Sequence, residues 1–199
     1  MEEESEFDYT IKVLIAGDSS VGKTNIVYRF IDNKFNKNYM VTTGMDLKTT
    51  NIDVKGKKIR IQLWDTAGQE KYRAITRNLF LKVQGFLLVY DITNKESFYN
   101  LGAWIKLVRD ECGSHMPIVI VGNKNDLEAQ RSTTKDEAMD FAKGEKIDYI
   151  ETSSKSGENI AKAISLIVEK VLESSELTND CSFTLDNSLA ADNKKRRCC

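Results

Sequence analysis

Residues Gly17-Asp-Ser-Ser-Val-Gly-Lys23-Thr24 restrict what this chain can fold into more than any other stretch. They fit the pattern G-x-x-x-x-G-K-[ST], with a β-rich run, Ile11–Ala16, before them and a helical pattern, Thr24–Ile31, after them. A glycine loop that joins a strand to a helix N-terminus is an anion cradle. Its glycines let backbone N–H groups from Ser19, Ser20, Val21 and Gly22 turn toward phosphate oxygens, and the helix aims its positive dipole end at the same place. Lys23 adds a positive charge for β- and γ-phosphates, and Thr24 offers a hydroxyl to Mg²⁺, a cation that prefers hard oxygen ligands.

The rest of the chain repeats the alternation of short apolar runs with amphipathic stretches that marks an α/β fold. Asp46–Val54 and Lys58–Trp64 flank Lys55-Gly56-Lys57 and read as a hairpin. Gly85–Asp91, Pro117–Val121 and Lys146–Glu151 read as further strands, and Ser97–Glu111, Lys135–Ala142 and Asn159–Leu172 as helices. With a short helix near Tyr72–Leu81, the expectation is six strands, mostly parallel with one antiparallel hairpin, and five helices. Residues 9–172 form the folded unit, after an acidic extension (1–8) and before a polar tail (173–199) that lacks any helical or strand period and reads as disordered.

Composition excludes several classes. A net charge of −1 provides no global field toward nucleic acid or a membrane surface. The acidic start, Met1–Glu6, does not resemble a secretory signal, and no apolar run approaches the roughly 20 residues that span a bilayer. The four cysteines, Cys112, Cys181, Cys198 and Cys199, lack paired metal-ligand spacing, which fits a reducing cytosol. The single histidine, His115, argues against dyad or His-rich metal chemistry and reads as an exposed loop residue.

A phosphate loop alone does not separate ATP from GTP, or a hydrolase from a kinase. Ile61-Gln-Leu-Trp64 delivers Asp65 to the carboxyl end of a strand, where ligands of open α/β sheets sit and where Mg²⁺ is needed. Gly68 can swing its N–H onto a γ-phosphate, and Gln69 can orient an attacking water. The next strand leads to Gly122-Asn123-Lys124-Asn125-Asp126. A carboxylate at Asp126 can accept the N1–H and N2 amino protons of guanine, donors that adenine does not offer. Asn123 and Lys124 would brace the loop and cover the ring, and backbone N–H groups in Ser153-Ser154-Lys155 can meet the guanine carbonyl. A metabolic ATPase or kinase is opposed by the Asn123–Asp126 element. A nucleotide-binding scaffold with little turnover is opposed by Gln69 and, on the resemblance described next, by Thr42.

Gly17–Thr24, Asp65–Gln69, Asn123–Asp126 and Ser153–Lys155 together resemble the Ras superfamily of small GTPases over roughly residues 9–172. The resemblance implies a Mg²⁺-dependent GTP/GDP switch with slow intrinsic hydrolysis. It makes Thr42 the switch-one threonine that ligands Mg²⁺ and Phe35 the ring that packs edge-on to guanine. Trp64-Asp-Thr-Ala-Gly-Gln-Glu70, Leu88-Val-Tyr-Asp-Ile-Thr93 and the terminal Cys198-Cys199 are most similar to Rab proteins. That likeness implies geranylgeranyl groups on both cysteines, anchorage to the cytoplasmic face of an intracellular membrane, and cycling with the cytosol. The implied partners are an exchange factor, a GTPase-activating protein, effectors and an extraction chaperone that shields the lipids. Two departures concern effectors: positions 47, 64 and 79 match an aromatic cluster that Rab effectors read, and here they are Leu47, Trp64 and Leu79.

Overall fold

The computed structural model describes residues 7–36, 45–66 and 79–178. Six strands, β1 (Tyr9–Ala16), β2 (Met45–Val54), β3 (Lys57–Thr66), β4 (Gly85–Asp91), β5 (Ile118–Asn123) and β6 (Asp148–Glu151), form one sheet in the order β2-β3-β1-β4-β5-β6. Only β2 and β3 run antiparallel. Five α-helices are described: α1 (Lys23–Asp32), α2 (Lys95–Tyr99), α3 (Leu101–Cys112), α4 (Lys135–Glu145) and α5 (Ile160–Thr178). The expected α/β architecture is thus present, down to the strand count and the single hairpin.

Period-two burial divides β1 between two cores, as successive side chains of a strand point to opposite faces. Ile11, Val13 and Ile15 join Val89, Val119 and the apolar face of α5 on one side of the sheet, with Ile26 and Val27 of α1. Leu14 and Ala16 join Phe86, Leu88, Tyr90 and Ile120 beneath α2, α3 and α4. Helices cover both faces of the parallel strands, so β4 and β5 are buried at every position, and Phe86–Tyr90 and Ile118–Val121 read as unbroken apolar runs. Edge strand β2 is instead largely exposed. The hairpin closes through Lys55 and Gly56, both at positive φ (53° and 75°), as a two-residue type I′ turn requires.

Several boundaries differ from the sequence reading by a few residues, and three of the differences have a physical cause in the structure. The expected helix Ser97–Glu111 is two helices that meet at Asn100, and Asn94 starts the first by accepting from the N–H groups of Glu96 and Ser97. Strand β6 begins at Asp148 rather than Lys146, because Lys146 is the left-handed cap (φ 58°) of α4. Helix α5 continues through Thr178 instead of stopping at Leu172. Glu173-Ser-Ser-Glu holds no glycine or proline to end it, and Lys55 pairs with Glu169 and Glu173 from the hairpin. A 3₁₀ turn at Asn125–Gln130 was not foreseen. Of the helix expected near Tyr72–Leu81, only Leu79 and Phe80 are described as helical; Tyr72–Asn78 lie outside the described residues. No helix among the described residues is long and apolar enough to cross a membrane. His115 lies exposed between α3 and β5, as expected.

Candidate functional site

The chemistry-bearing residues converge beyond the carboxyl ends of the parallel strands. The loop after β1, Asp65 near the end of β3, Asn123 at the end of β5 and the segment after β6 all arrive at one side of the sheet. Two glycines shape the first loop. Gly17 (φ 135°) passes so close to β4 that a Cβ would stand 2.1 Å from the carbonyl oxygen of Val89. Gly22 (φ 99°) precedes α1, and a Cβ there would stand 2.3 Å from Asn123 Nδ2. Ser20 also adopts the left-handed region (φ 65°) without being glycine.

Lys23 is buried, and its ammonium donates to the carbonyl oxygens of Gly17 (2.8 Å) and Asp18 (2.6 Å). Burial pushes its pKa down to about 8, against the pull of Asp65 and Asp18. A buried cation held mainly by neutral carbonyls is poised for an anion, and a phosphate would supply the missing negative charge. The Asp18 carboxylate points the other way and accepts from Asn100 Nδ2 (2.7 Å) and Trp104 Nε1 (3.0 Å), tying the loop to α3.

Thr24 Oγ1 donates to Asp65 Oδ2 at 2.6 Å. Asp65 is buried, burial raises its pKa, and its Oδ1 has no hydrogen-bond partner among the described residues. An orphaned buried carboxylate oxygen beside a threonine hydroxyl is a donor set that fits Mg²⁺. Thr24 and Asp65 therefore meet as the sequence predicts. Thr42, Gly68 and Gln69 lie outside the described residues, as do Cys198 and Cys199.

Asn123, fully buried, joins the two halves of the site. Its Nδ2 donates to the carbonyl of Val21 in the phosphate loop (2.9 Å), and its Oδ1 accepts from Thr152 Oγ1 and Ser154 N (3.2 Å each). This is the expected brace, and the sequence alone could not supply its partners. Lys124 sits at positive φ (70°) and pairs with Asp91 (2.6 Å). Asp126 Oδ1 accepts from Ser153 Oγ at 2.6 Å, and its Oδ2 lies 3.6 Å from Lys155 Nζ. Ser153 Oγ also accepts from the N–H groups of Lys155 and Ser156, which fixes the turn that carries them.

A cavity of about 560 Å³ opens between these elements, within the range of small-molecule sites. Ser20 and Gly22 line it toward the phosphate loop, and Phe35, Lys124, Asp126, Ser154 and Lys155 line it toward the specificity loops. Asn25 and Leu127 also line it. Neither carries a motif, so the sequence reading did not find them. Ser19, which is exposed, and Val21 and Ser153, which are buried, are not among the residues that line it.

The three positions of the effector-reading cluster differ in exposure, although Trp64 packs against the same core that holds Leu79. Leu47 is exposed and directly opposite Trp64 across the β2–β3 pair. Leu79 is buried, packed in the second core with Phe80 and Val83. An aromatic ring at position 79 would therefore enlarge a packed core. Leu79→Tyr is expected to lower stability by about 1–3 kcal/mol through overpacking, read as a lower denaturant midpoint.

Comparison with known proteins agrees with this geometry. Residues 12–173 match the Ras family. "Ras-related protein Rab-13" of Canis lupus familiaris is 40% identical over 166 residues, covering 83% of this chain and 82% of that protein. "GTP-binding protein ypt3" of Schizosaccharomyces pombe is 42% identical over 169 residues, covering 85% of this chain and 79% of that protein. "Ras-related protein Rab-27A" of Rattus norvegicus is 38% identical over 191 residues, covering 90% of this chain and 86% of that protein. The chain belongs to the Ras family of small GTPases and is Rab-like within it.

Proposed function

We propose that this chain is a GTP/GDP-controlled switch that hydrolyses GTP slowly and recruits effectors at an intracellular membrane, in vesicle traffic. One arrangement carries the reading. The Asp126 carboxylate, oriented by Ser153, faces the same cavity that Ser20 and Gly22 line at its phosphate-loop end. A guanine nucleotide has matching polarity at both ends: two N–H donors on the base and anionic phosphates at the other end.

Lys23 neutralises the β- and γ-phosphates, and backbone N–H groups of Ser19 through Gly22 and of Ser154 and Lys155 hold phosphate and base. Thr24, Asp65 and Thr42 would hold Mg²⁺, which screens the charge that grows on the phosphate oxygens during cleavage. Gln69 orients water. Thr42 and Gly68 hold the two switch segments through contacts that vanish with the γ-phosphate, so hydrolysis relaxes them. An arginine supplied by an activating protein contributes about 10³–10⁵ in rate in this chemistry, so turnover is slow without that partner.

Single-turnover release of phosphate from GTP-loaded protein tests this. The unmutated chain releases phosphate slowly, while Gln69→Leu releases it more slowly still and retains GTP affinity. Equal rates in the two, with and without a cell extract that supplies activators, would remove Gln69 from the mechanism.

Anchorage rests on Lys194-Lys-Arg-Arg-Cys-Cys199. One lipid chain gives marginal binding, and two signals hold; four basic residues near an anionic leaflet add roughly 1 kcal/mol each. An attachment this tight calls for a chaperone that extracts the prenylated form. Replacing Cys198 and Cys199 with serine is expected to move the protein from the membrane pellet to the soluble fraction with GTP binding unchanged. A double-serine protein that still pellets would place the anchor elsewhere.

A further inference from the structure

Helix α1 carries a side chain that grips both walls of the cavity from behind, and nothing in the nucleotide motifs assigns it a role. Arg29 is half-buried, and its guanidinium donates in two directions. Nε donates to the carbonyl of Ser154 (2.8 Å) and Nη2 to the carbonyl of Lys155 (2.7 Å). Nη1 donates to Asn33 through its carbonyl (3.1 Å) and its side-chain oxygen (3.0 Å). One end of this fork holds the segment placed under the base, and the other holds the end of α1, two residues before Phe35. Gly157 (φ 89°) closes the turn over the stem of Arg29, where a Cβ would stand 3.5 Å from Arg29 Cδ.

Asn25 lies one helical turn earlier on the same face of α1. Its Nδ2 donates to the carbonyl of Asn36 (3.2 Å), and its Oδ1 accepts from the Asn36 N–H (3.1 Å). Phe35 is therefore held between two anchored residues, Asn33 and Asn36. The planar guanidinium suits this double grip, since its donors leave in fixed, diverging directions. An ammonium could satisfy one wall and not both.

We propose that Arg29 is a positioning residue that sets how long guanine nucleotide stays bound, by clamping the Ser154–Lys155 carbonyls to the Asn33–Asn36 segment. With its carbonyls held from behind, the segment keeps its N–H groups turned toward the base. With Asn33 and Asn36 fixed, Phe35 cannot swing out. The inference rests on the nucleotide-site reading above and deepens it, by locating control of release on a helix outside the recognised motifs.

The test is stopped-flow release of a fluorescent GDP from full-length protein, with association measured in parallel. Arg29→Ala is expected to speed dissociation about tenfold, the value of one charge-assisted hydrogen bond, with association changed less than twofold. Arg29→Lys should fall between Ala and the unmutated chain, and Asn25→Ala should also speed release. A purely structural defect would reduce the amount of competent protein and leave the rate of the remainder unchanged, so rate and amplitude separate the two. If Arg29→Ala does not fold, Arg29→Gln, which keeps a donor for one wall, replaces it with the same expected direction. Release from Arg29→Ala within twofold of the unmutated rate overturns the clamp. Failure of the unmutated chain to retain fluorescent GDP overturns the nucleotide-site reading itself, and the clamp with it.

Discussion

Asp126→Asn is expected to lower guanine nucleotide affinity by about 10²–10⁴-fold, from the loss of two hydrogen bonds to a charged acceptor. On the proposed reading the carboxylate accepts two guanine protons; an amide would offer one acceptor and present its NH₂ group to the other donor. The fold should survive, because an asparagine oxygen can still accept from Ser153 Oγ, as Asp126 Oδ1 does at 2.6 Å. Xanthine carries a carbonyl where guanine carries its amino group, so the same substitution should improve binding of xanthine nucleotides. Titrating fluorescent guanine and xanthine diphosphates against both proteins checks the two directions together. Parallel loss of both ligands would indicate damage to the loop rather than a change in base reading.

Gly22→Ala should be, with Gly17→Ala, one of the two most damaging single methyl additions in the site. The position demands φ of 99°, which L residues rarely adopt, and the new Cβ would stand 2.3 Å from Asn123 Nδ2. Relief requires moving a side chain that is fully buried and bonded to Val21 O, Thr152 Oγ1 and Ser154 N. Backbone strain and one orphaned buried amide together amount to about 2–5 kcal/mol. For a domain of this size that lowers the melting temperature by roughly 5–15 °C. Binding should suffer more than stability, since Asn123 is bonded to both the phosphate loop and the base-reading loop. Differential scanning calorimetry with and without GDP separates the effects: the nucleotide-dependent rise in melting temperature should shrink to near zero. Gly56→Ala is the control, because a Cβ there meets nothing within 4 Å, and a comparably positive φ (75°) costs backbone strain alone.

The elements most legible in the sequence are those whose environment is uniform. Strand β4 matches its expected bounds, Gly85–Asp91, because all seven positions are buried and Phe86–Tyr90 is an unbroken apolar run. The phosphate loop and Asp126 were legible because the chemistry dictates residue types at fixed spacing. Boundaries set by caps were not: Lys146 belongs to an apolar-flanked run, yet its positive φ makes it a helix end. The second grip on the site was also hidden. Arg29 and Asn25 look like ordinary polar positions of an amphipathic helix until folding brings Ser154, 125 residues away in the chain, against the guanidinium. Leu79 shows the opposite failure. The match to a cluster that effectors read did not tell how deep it lies: Leu79 is buried with Phe80 and Val83, in the core that Trp64 also packs against.

The central claim, that the cavity reads guanine and holds its phosphates, is tested most directly by competition. Full-length protein loaded with fluorescent GDP in the presence of Mg²⁺ is challenged with GTP in one series and ATP in another. GTP should displace the probe at concentrations lower than ATP by about 10³-fold or more, as expected when an acceptor covered by the bound base is left unpaired by the wrong one. Displacement by ATP and GTP at equal concentrations would contradict the account.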